Sequence, residues 1–305
     1  MDPGIIVAGF LVGICVGLTG MGGGALMTPL LVLGFGVDPL AAVSSDIVAS
    51  LVMKPIGGTV HARRGTVHRG IVVWLSLGSV PAAFAGVLLL RSLGDGEDLA
   101  ARLEQLLGIT LLVAATAMTA RLLMGAGGSG PGSPAAVPVR RAATLAVGVV
   151  GGLVVGVTSV GAGSLMIVLL LWLYPAMSSK SLVGTDLVQA VPLIAAAALG
   201  HVLYGDVQLG LTGALLVGCV PGVYLGARVS SRANDGVIRP HIVAVLVSSS
   251  LRLLALPAFA ALGAGVVAAA VVVVVERRVR RAMPSEVDLV PTPPTGPWAV
   301  APAED

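Results

Sequence analysis

Charge is what this sequence has least of. Asp, Glu, Lys and Arg together make up 11% of 305 residues, against about 25% in an ordinary soluble domain. That leaves too little polar surface for a water-facing shell, so lipid must replace water around most of the chain. Aromatic residues are nearly as rare, at 3%, whereas Gly reaches 42 residues and Ala is abundant, the composition expected where helices approach closely or break inside a membrane.

Cysteine numbers two. Cys15 and Cys219 each lie inside an apolar run, with no CxxC or Cys/His ligand spacing, which argues against a disulfide or a metal site and for small packing residues. With four His and no clustered acids, no metal and no cofactor is expected. No Ser/His/Asp or Cys/His set and no paired carboxylates with an acid/base role emerges, so an enzyme has no positive support. The net charge of +3 and pI near 9.2 come from short Arg clusters between apolar runs and not from one basic face, which argues against nucleic acid as a partner. The start Met1-Asp2-Pro3-Gly4 lacks the basic region of a secretory signal, and the apolar stretch behind it outruns a signal's hydrophobic core.

What is present is apolar length. Hydrophobic residues make up 56% of the chain, and runs at about 4–35, 40–60, 70–90, 103–123, 142–174, 181–203, 209–227, 238–254 and 257–275 are bounded by charges, Pro or Gly. Most match the roughly 20 residues that span a bilayer. The fold class is therefore all-α, a polytopic integral membrane protein, with the plasma membrane of a bacterial-type cell as its location. Two runs, 4–35 and 142–174, are too long for one span and carry a glycine-rich interruption near the middle, as a broken helix or re-entrant hairpin would.

The two long runs also align with each other. Gly13 to Met27 matches Gly152 to Met166 without a gap, and further along Asp46 pairs with Asp186, His61 with His201, Gly78 with Gly218 and Pro81 with Pro221. Both halves end alike, in Arg121-Leu122-Leu123 and Arg252-Leu253-Leu254. The organisation is a first transmembrane repeat at 1–124, a Gly/Pro/Ser linker at 125–139, a second repeat at 140–255, an extra helix with a basic end at 256–282, and a Pro-rich tail at 283–305 expected to be disordered. If both long runs return to their own side, the second half is inverted and every Lys or Arg outside the spans except Arg91, Arg102 and Arg252 becomes cytoplasmic, as the positive-inside rule requires. Single crossings, with parallel halves, put the majority outside. An inverted repeat with an outside N-terminus is the better account.

Broken helices in inverted repeats suit transport, because half-helix N-termini offer N–H groups and a positive dipole end to an anion. The candidate substrate-binding residues are Thr19, Gly20, Gly22, Gly23 and Gly24 in the first break and Thr158, Ser159, Gly161, Gly163 and Ser164 in the second. Glycine there lets backbone approach a ligand, and the hydroxyls add donors; simple close packing of helices is the competing account. Lys54, the one Lys or Arg well inside a span, suits an anionic substrate, unless it only pairs with an acid or snorkels. For coupling or gating the candidates are Asp46 and Asp186, with N-capping as the alternative, and His61 and His201, with a structural role as theirs. Pro55, Pro81, Pro192 and Pro221 are expected to kink or end helices.

The pattern Gly13-x-x-x-Gly17-x-Thr19-Gly20-x-Gly22-Gly23-Gly24-x-x-x-x-Pro29-Leu30, its degenerate copy at 152–170 and the paired Arg-Leu-Leu ends resemble the TauE/SafE family of sulfite exporters. The likeness covers about residues 4–254; Ser159, Ala162 and Val168 in the second copy, and the ninth run, depart from it. The resemblance implies a secondary transporter of small sulfur-containing anions such as sulfite, sulfoacetate or related sulfonates, working without ATP. The partners are then a small anionic substrate and the lipid bilayer, with a homodimer left open. A non-transporting membrane scaffold, recruiting partners through the basic 276–281 segment and the Pro-rich tail, is the alternative from another class. An ion channel has neither a charge ring nor a carbonyl-filter sequence behind it.

Overall fold

The computed structural model describes residues 2–19, 23–63, 67–92, 94, 96–123, 137–161, 163, 165–229 and 235–282. Within them the chain forms helices α1 (Pro3–Thr19), α2 (Gly24–Phe35), α3 (Pro39–Arg63), α4 (Arg69–Ser92), α5 (Gly96–Leu123), α6 (Arg141–Thr158), α7 (Leu165–Leu173), α8 (Ser179–Tyr204), α9 (Leu209–Val229), α10 (Asp235–Leu253) and α11 (Ala258–Ala282), and no strand among the described residues. Most of the linker, 124–136, and the tail, 283–305, lie outside the described residues.

Six helices, α4, α5, α6, α8, α9 and α11, are long and apolar enough to cross a membrane. The 25 residues of α3 reach about 38 Å at 1.5 Å per residue, also enough for a crossing. By contrast the 12 residues of α2 and the 9 of α7 reach only about 18 and 14 Å, roughly half of a ~30 Å hydrocarbon core.

Both long runs are broken where the glycines cluster, and each second arm turns back. At the far end of α7, the Tyr174 hydroxyl accepts from the backbone N–H of Arg140 at 3.0 Å and pairs with the hydroxyl of Thr144, both at the start of α6. At the far end of α2, Phe35 lies against Gly4 at the start of α1, 3.1 Å from where a Cβ would stand. Each run is thus a hairpin whose arms turn between Thr19 and Gly23 or between Ser159 and Leu165 and whose feet lie together.

Each hairpin's first arm packs on a helix of the other half. A Cβ at Gly17 of α1 would stand 2.3 Å from the Val223 carbonyl of α9, and one at Gly156 of α6 would stand 2.1 Å from the Ala83 carbonyl of α4; no side chain fits at either place. Gly218 meets the Ile6 carbonyl as Gly78 meets that of Leu145, so the same residue pairs recur in the two halves. The contacts advance together along both chains, so α1 is parallel to α9 and α6 to α4.

Between them α3 and α8 run antiparallel. The start of α3 meets the end of α8 through Ser44 and His201, and the turn after α3 meets the start of α8, where the His68 N–H donates to the Thr185 hydroxyl at 3.0 Å. Its counterpart, Gln208 N–H to the Ser45 hydroxyl at 3.2 Å, joins the two residues that align with that pair.

Several local features differ from the sequence expectation. Pro55, Pro81, Pro192 and Pro221 lie inside helices and end none of them, so of the two expected effects ending a helix does not occur; packing on both sides outweighs one lost hydrogen bond apiece. Helix α5 begins at Gly96, before the apolar run, because Glu97 and Asp98 in its first turn complement the positive end of the helix dipole. Helix α11 packs mainly on α10 and leaves Phe259, Leu262, Val266 and Val267 exposed, an apolar face of the kind that meets lipid.

Candidate functional site

The two hairpin tips touch. Gly24, the first residue of α2, is so close to Ser159 that an added Cβ would stand 2.1 Å from the Ser159 carbonyl oxygen. Ser159 follows the last residue of α6 and adopts the left-handed conformation, φ 59°, which costs a residue with a Cβ roughly 1 kcal/mol. Gly161 at φ 126° and Gly163 at φ 100° continue the break, in a region open to glycine alone at low cost. Two half-helices, α2 and α7, therefore start in the interior, with their N-terminal dipole ends at the tips.

Asp46 stands at this junction. Its Oδ2 accepts from the Ser159 hydroxyl at 2.6 Å and from the Thr28 hydroxyl of α2 at 3.2 Å, and the side chain is 1% exposed. A Cβ on Gly23, which is buried at the start of α2, would lie 3.0 Å from Met53 Cε, 3.7 Å from Asp46 Oδ1 and 3.8 Å from Ser50 Oγ. Only a residue without a Cβ leaves Met53 its place here, with the backbone close to the carboxylate.

Lys54, two turns further along α3, is 7% exposed and interacts electrostatically with Asp186 and, less strongly, with Asp46. Asp186 of α8 is fully buried and accepts from Gln189 Nε2 at 3.2 Å; the Gln189 carbonyl in turn accepts from the Ser79 hydroxyl of α4 at 3.1 Å. A polar chain thus runs through the middle of an apolar bundle, with two carboxylates flanking one ammonium. Buried charge is costly in a membrane and persists where it is paired or used.

Neither aspartate caps its helix. The cap of α3 is Asp38, whose Oδ1 accepts from the N–H groups of Leu40 and Ala41 at 2.9 and 3.2 Å, and that of α8 is Ser178, which accepts from Ser181 N–H. Asp46 and Asp186 lie two turns inside.

The remaining predicted residues are placed as follows. Thr19 and Thr158 end α1 and α6, their hydroxyls turned back to the carbonyls of Cys15 and Val154, each at 2.7 Å. His201 is buried, with Nε2 at 2.8 Å from the Gly156 carbonyl and Nδ1 at 2.8 Å from the Ser44 hydroxyl. Nε2 must carry a proton to donate to that carbonyl, and the ring ties α3, α6 and α8 together. Gly20, Gly22 and Ser164 lie outside the described residues, as does the side chain of His61. Among the described residues no three His, Cys, Asp or Glu side chains gather as metal ligands would.

Sequence reasoning missed Thr28, Ser79, Gln189 and His68. Gln189 had a signal, an amide in an apolar span, whereas hydroxyls such as Thr28 and Ser79 pass as helix residues bonding their own backbone. His68 lies between two apolar runs, and its Nδ1 accepts from Ile71 N–H at 3.2 Å while its Nε2–H reaches the Val137 carbonyl at 3.0 Å, capping α4 and tying it to the end of the linker.

Comparison with known proteins adds to this geometry. Residues 5–253 match the family model described as Sulfite exporter TauE/SafE. The chain is similar to the probable membrane transporter protein YjnA of Bacillus subtilis (strain 168), 33% identical over 260 residues that cover 83% of this chain and 100% of that protein. It is also similar to the probable membrane transporter protein YdhB of the same organism, 24% identical over 247 residues, 78% of this chain and 94% of that one. No solved structure matches significantly. From the match along α1 to α10 and a relative above 30% identity over its full length, the chain belongs to the sulfite exporter TauE/SafE family, a multi-pass membrane protein of a family of transporters.

Proposed function

We propose that this protein is a secondary transporter of small sulfur-containing anions, sulfite and sulfonates such as sulfoacetate, and that it binds them where the two hairpin tips meet. The observation that carries this reading is the junction itself: the start of α2 meets the end of α6, the backbone at Gly23 lies beside Asp46, and the same helix α3 carries the buried Lys54. A small anion there gains backbone N–H donors, the positive ends of α2 and α7 and one ammonium. Thr19, Gly20, Gly22, Gly24, Thr158, Ser159, Gly161, Gly163 and Ser164 are the residues that this proposal assigns to the anion, with Asp46 and Asp186 balancing the charge of Lys54. The antiparallel run of α3 and α8, and the hairpins with their feet together, support halves inverted across the membrane, each hairpin entering from its own side.

The test is sulfite and sulfoacetate flux into proteoliposomes. Wild type is expected to show saturable flux; Gly23→Leu, which crowds Met53 and Asp46, and Lys54→Ala, which removes the cation, should each reduce it at least tenfold, equivalent to about 1.4 kcal/mol, in protein that is checked to be folded. Flux of neither anion by well-folded wild type sinks the proposed substrate class and favours the scaffold alternative.

A further inference from the structure

We infer that Asp46 is a proton-binding site that clips the two hairpin tips together when ionised and releases them when protonated, so that a proton travels with the anion. The inference rests on the transport reading above and adds to it the coupling ion. Three observations lead to it.

The first is connectivity. Thr28 belongs to the first hairpin and Ser159 to the tip of the second, yet both hydroxyls donate to one oxygen, Asp46 Oδ2. A third element, α3, thereby holds the two moving candidates together. Hydrogen bonds to an ionised carboxylate are roughly twice as strong as neutral ones, and Asp46 is buried beyond competition from bulk water. Protonation at Oδ2 turns an acceptor into a donor and removes the charge that both hydroxyls face.

The second is strain. Ser159 sits at φ 59°, where the aligned residue of the first half is Gly20. A serine is held there against its own preference by what its side chain binds, which is Asp46. When that bond weakens, the tip relaxes away from Gly24.

The third is charge. The groups acting on Asp46 are Lys54 on its own helix and the thiol of Cys219 on α9; Lys54 in turn also faces Asp186 on α8. The first hairpin contributes Thr28 and the second Ser159, both hydroxyls, and among the described residues no ionisable group of α5 acts on it. With both acids ionised the cluster is net negative and repels an anion; one proton on Asp46 neutralises it and frees more of the Lys54 charge. Proton and anion therefore favour each other's binding, the linkage a cotransporter needs. Asp186 is placed differently, for its acceptor bond comes from Gln189 on its own helix.

Two measurements test this on the full-length chain. In a Cys15→Ala, Cys219→Ala background, Val160→Cys reports on the tip, and its labelling by a small charged methanethiosulfonate at one fixed pH is read with and without Asp46→Asn, the neutral isostere. Asp46→Asn should raise the labelling rate about tenfold, as loss of one charge-assisted bond implies, and Asp46→Glu should bring it back toward the parent. Equal rates in folded parent and Asp46→Asn overturn the clip. In proteoliposomes, methanesulfonate, whose charge is constant between pH 5 and 8, should accumulate in wild type under an acid-outside gradient alone, and no longer do so with Asp46→Asn. Saturable flux indifferent to that gradient overturns proton coupling and leaves the transport reading standing. No flux of any anion, with labelling still accelerated by Asp46→Asn, overturns the transport reading and leaves the clip.

Discussion

Ser159 illustrates how much a single residue decides in a bundle this apolar. Its backbone carries a conformational cost and its hydroxyl makes a 2.6 Å bond to a buried carboxylate, two effects of opposite sign. They can be separated, because Ser159→Ala keeps the Cβ at positive φ and loses the bond, while Ser159→Gly loses both. We expect Ser159→Ala to cost about 2 kcal/mol and Ser159→Gly to be less destabilising by roughly 1 kcal/mol, read as midpoints of thermal unfolding in detergent. A lower midpoint for Ser159→Gly would show that Ser159 is not strained. The ionisable residues Asp46, Lys54 and Asp186 were legible from sequence, since charge inside an apolar run announces itself. Thr28 and Ser79 were not, because nothing in their own segments says which carboxylate or amide they will meet across the bundle.

At the scale of the element, glycine sets how closely helices approach. A Cβ at Gly152 would stand 2.4 Å from the Ser79 carbonyl of α4, and backbone cannot yield as a flexible side chain can. Gly152→Ala should therefore push α6 off α4 and cost about 3 kcal/mol, the upper end of overpacking. Gly263→Ala in α11, with nothing within 4 Å, should be neutral or slightly stabilising through helix propensity. The comparison is one of folded yield and unfolding midpoint between two identical substitutions; equal effects would remove close packing as the reason for the glycines of α6. The broken runs were also foreseeable, as glycine clusters disfavour continuous helix. That each second arm returns to its own side was the expectation from the charge pattern, but the contacts that hold the feet together were not legible, because they join residues at opposite ends of each run, Tyr174 with Arg140 and Thr144 and Phe35 with Gly4.

For the whole molecule, what matters is which ends share a side of the membrane. With hairpins that return and with α3 antiparallel to α8, Ser92 at the end of α4 and Ser178 before α8 fall on opposite sides; single crossings with parallel halves put them on the same side. Ser92→Cys and Ser178→Cys, each in the Cys15→Ala, Cys219→Ala background, are expected to react differently with an impermeant maleimide in intact cells, Ser92→Cys labelled and Ser178→Cys protected until the membrane is opened. Labelling of both from outside would rule the inverted arrangement out.

Membrane residence, helical class, the breaks and the aligned halves were determined by sequence alone, because each is set by local composition: apolar length, glycine density and spacing that repeats along one chain. Tertiary structure decided which helices exchange between halves, that the two tips meet, and that hydroxyls from both converge on Asp46. Those depend on contacts between residues over a hundred positions apart, such as Asp46 and Ser159, whose cost in chain entropy is offset only when the whole bundle packs.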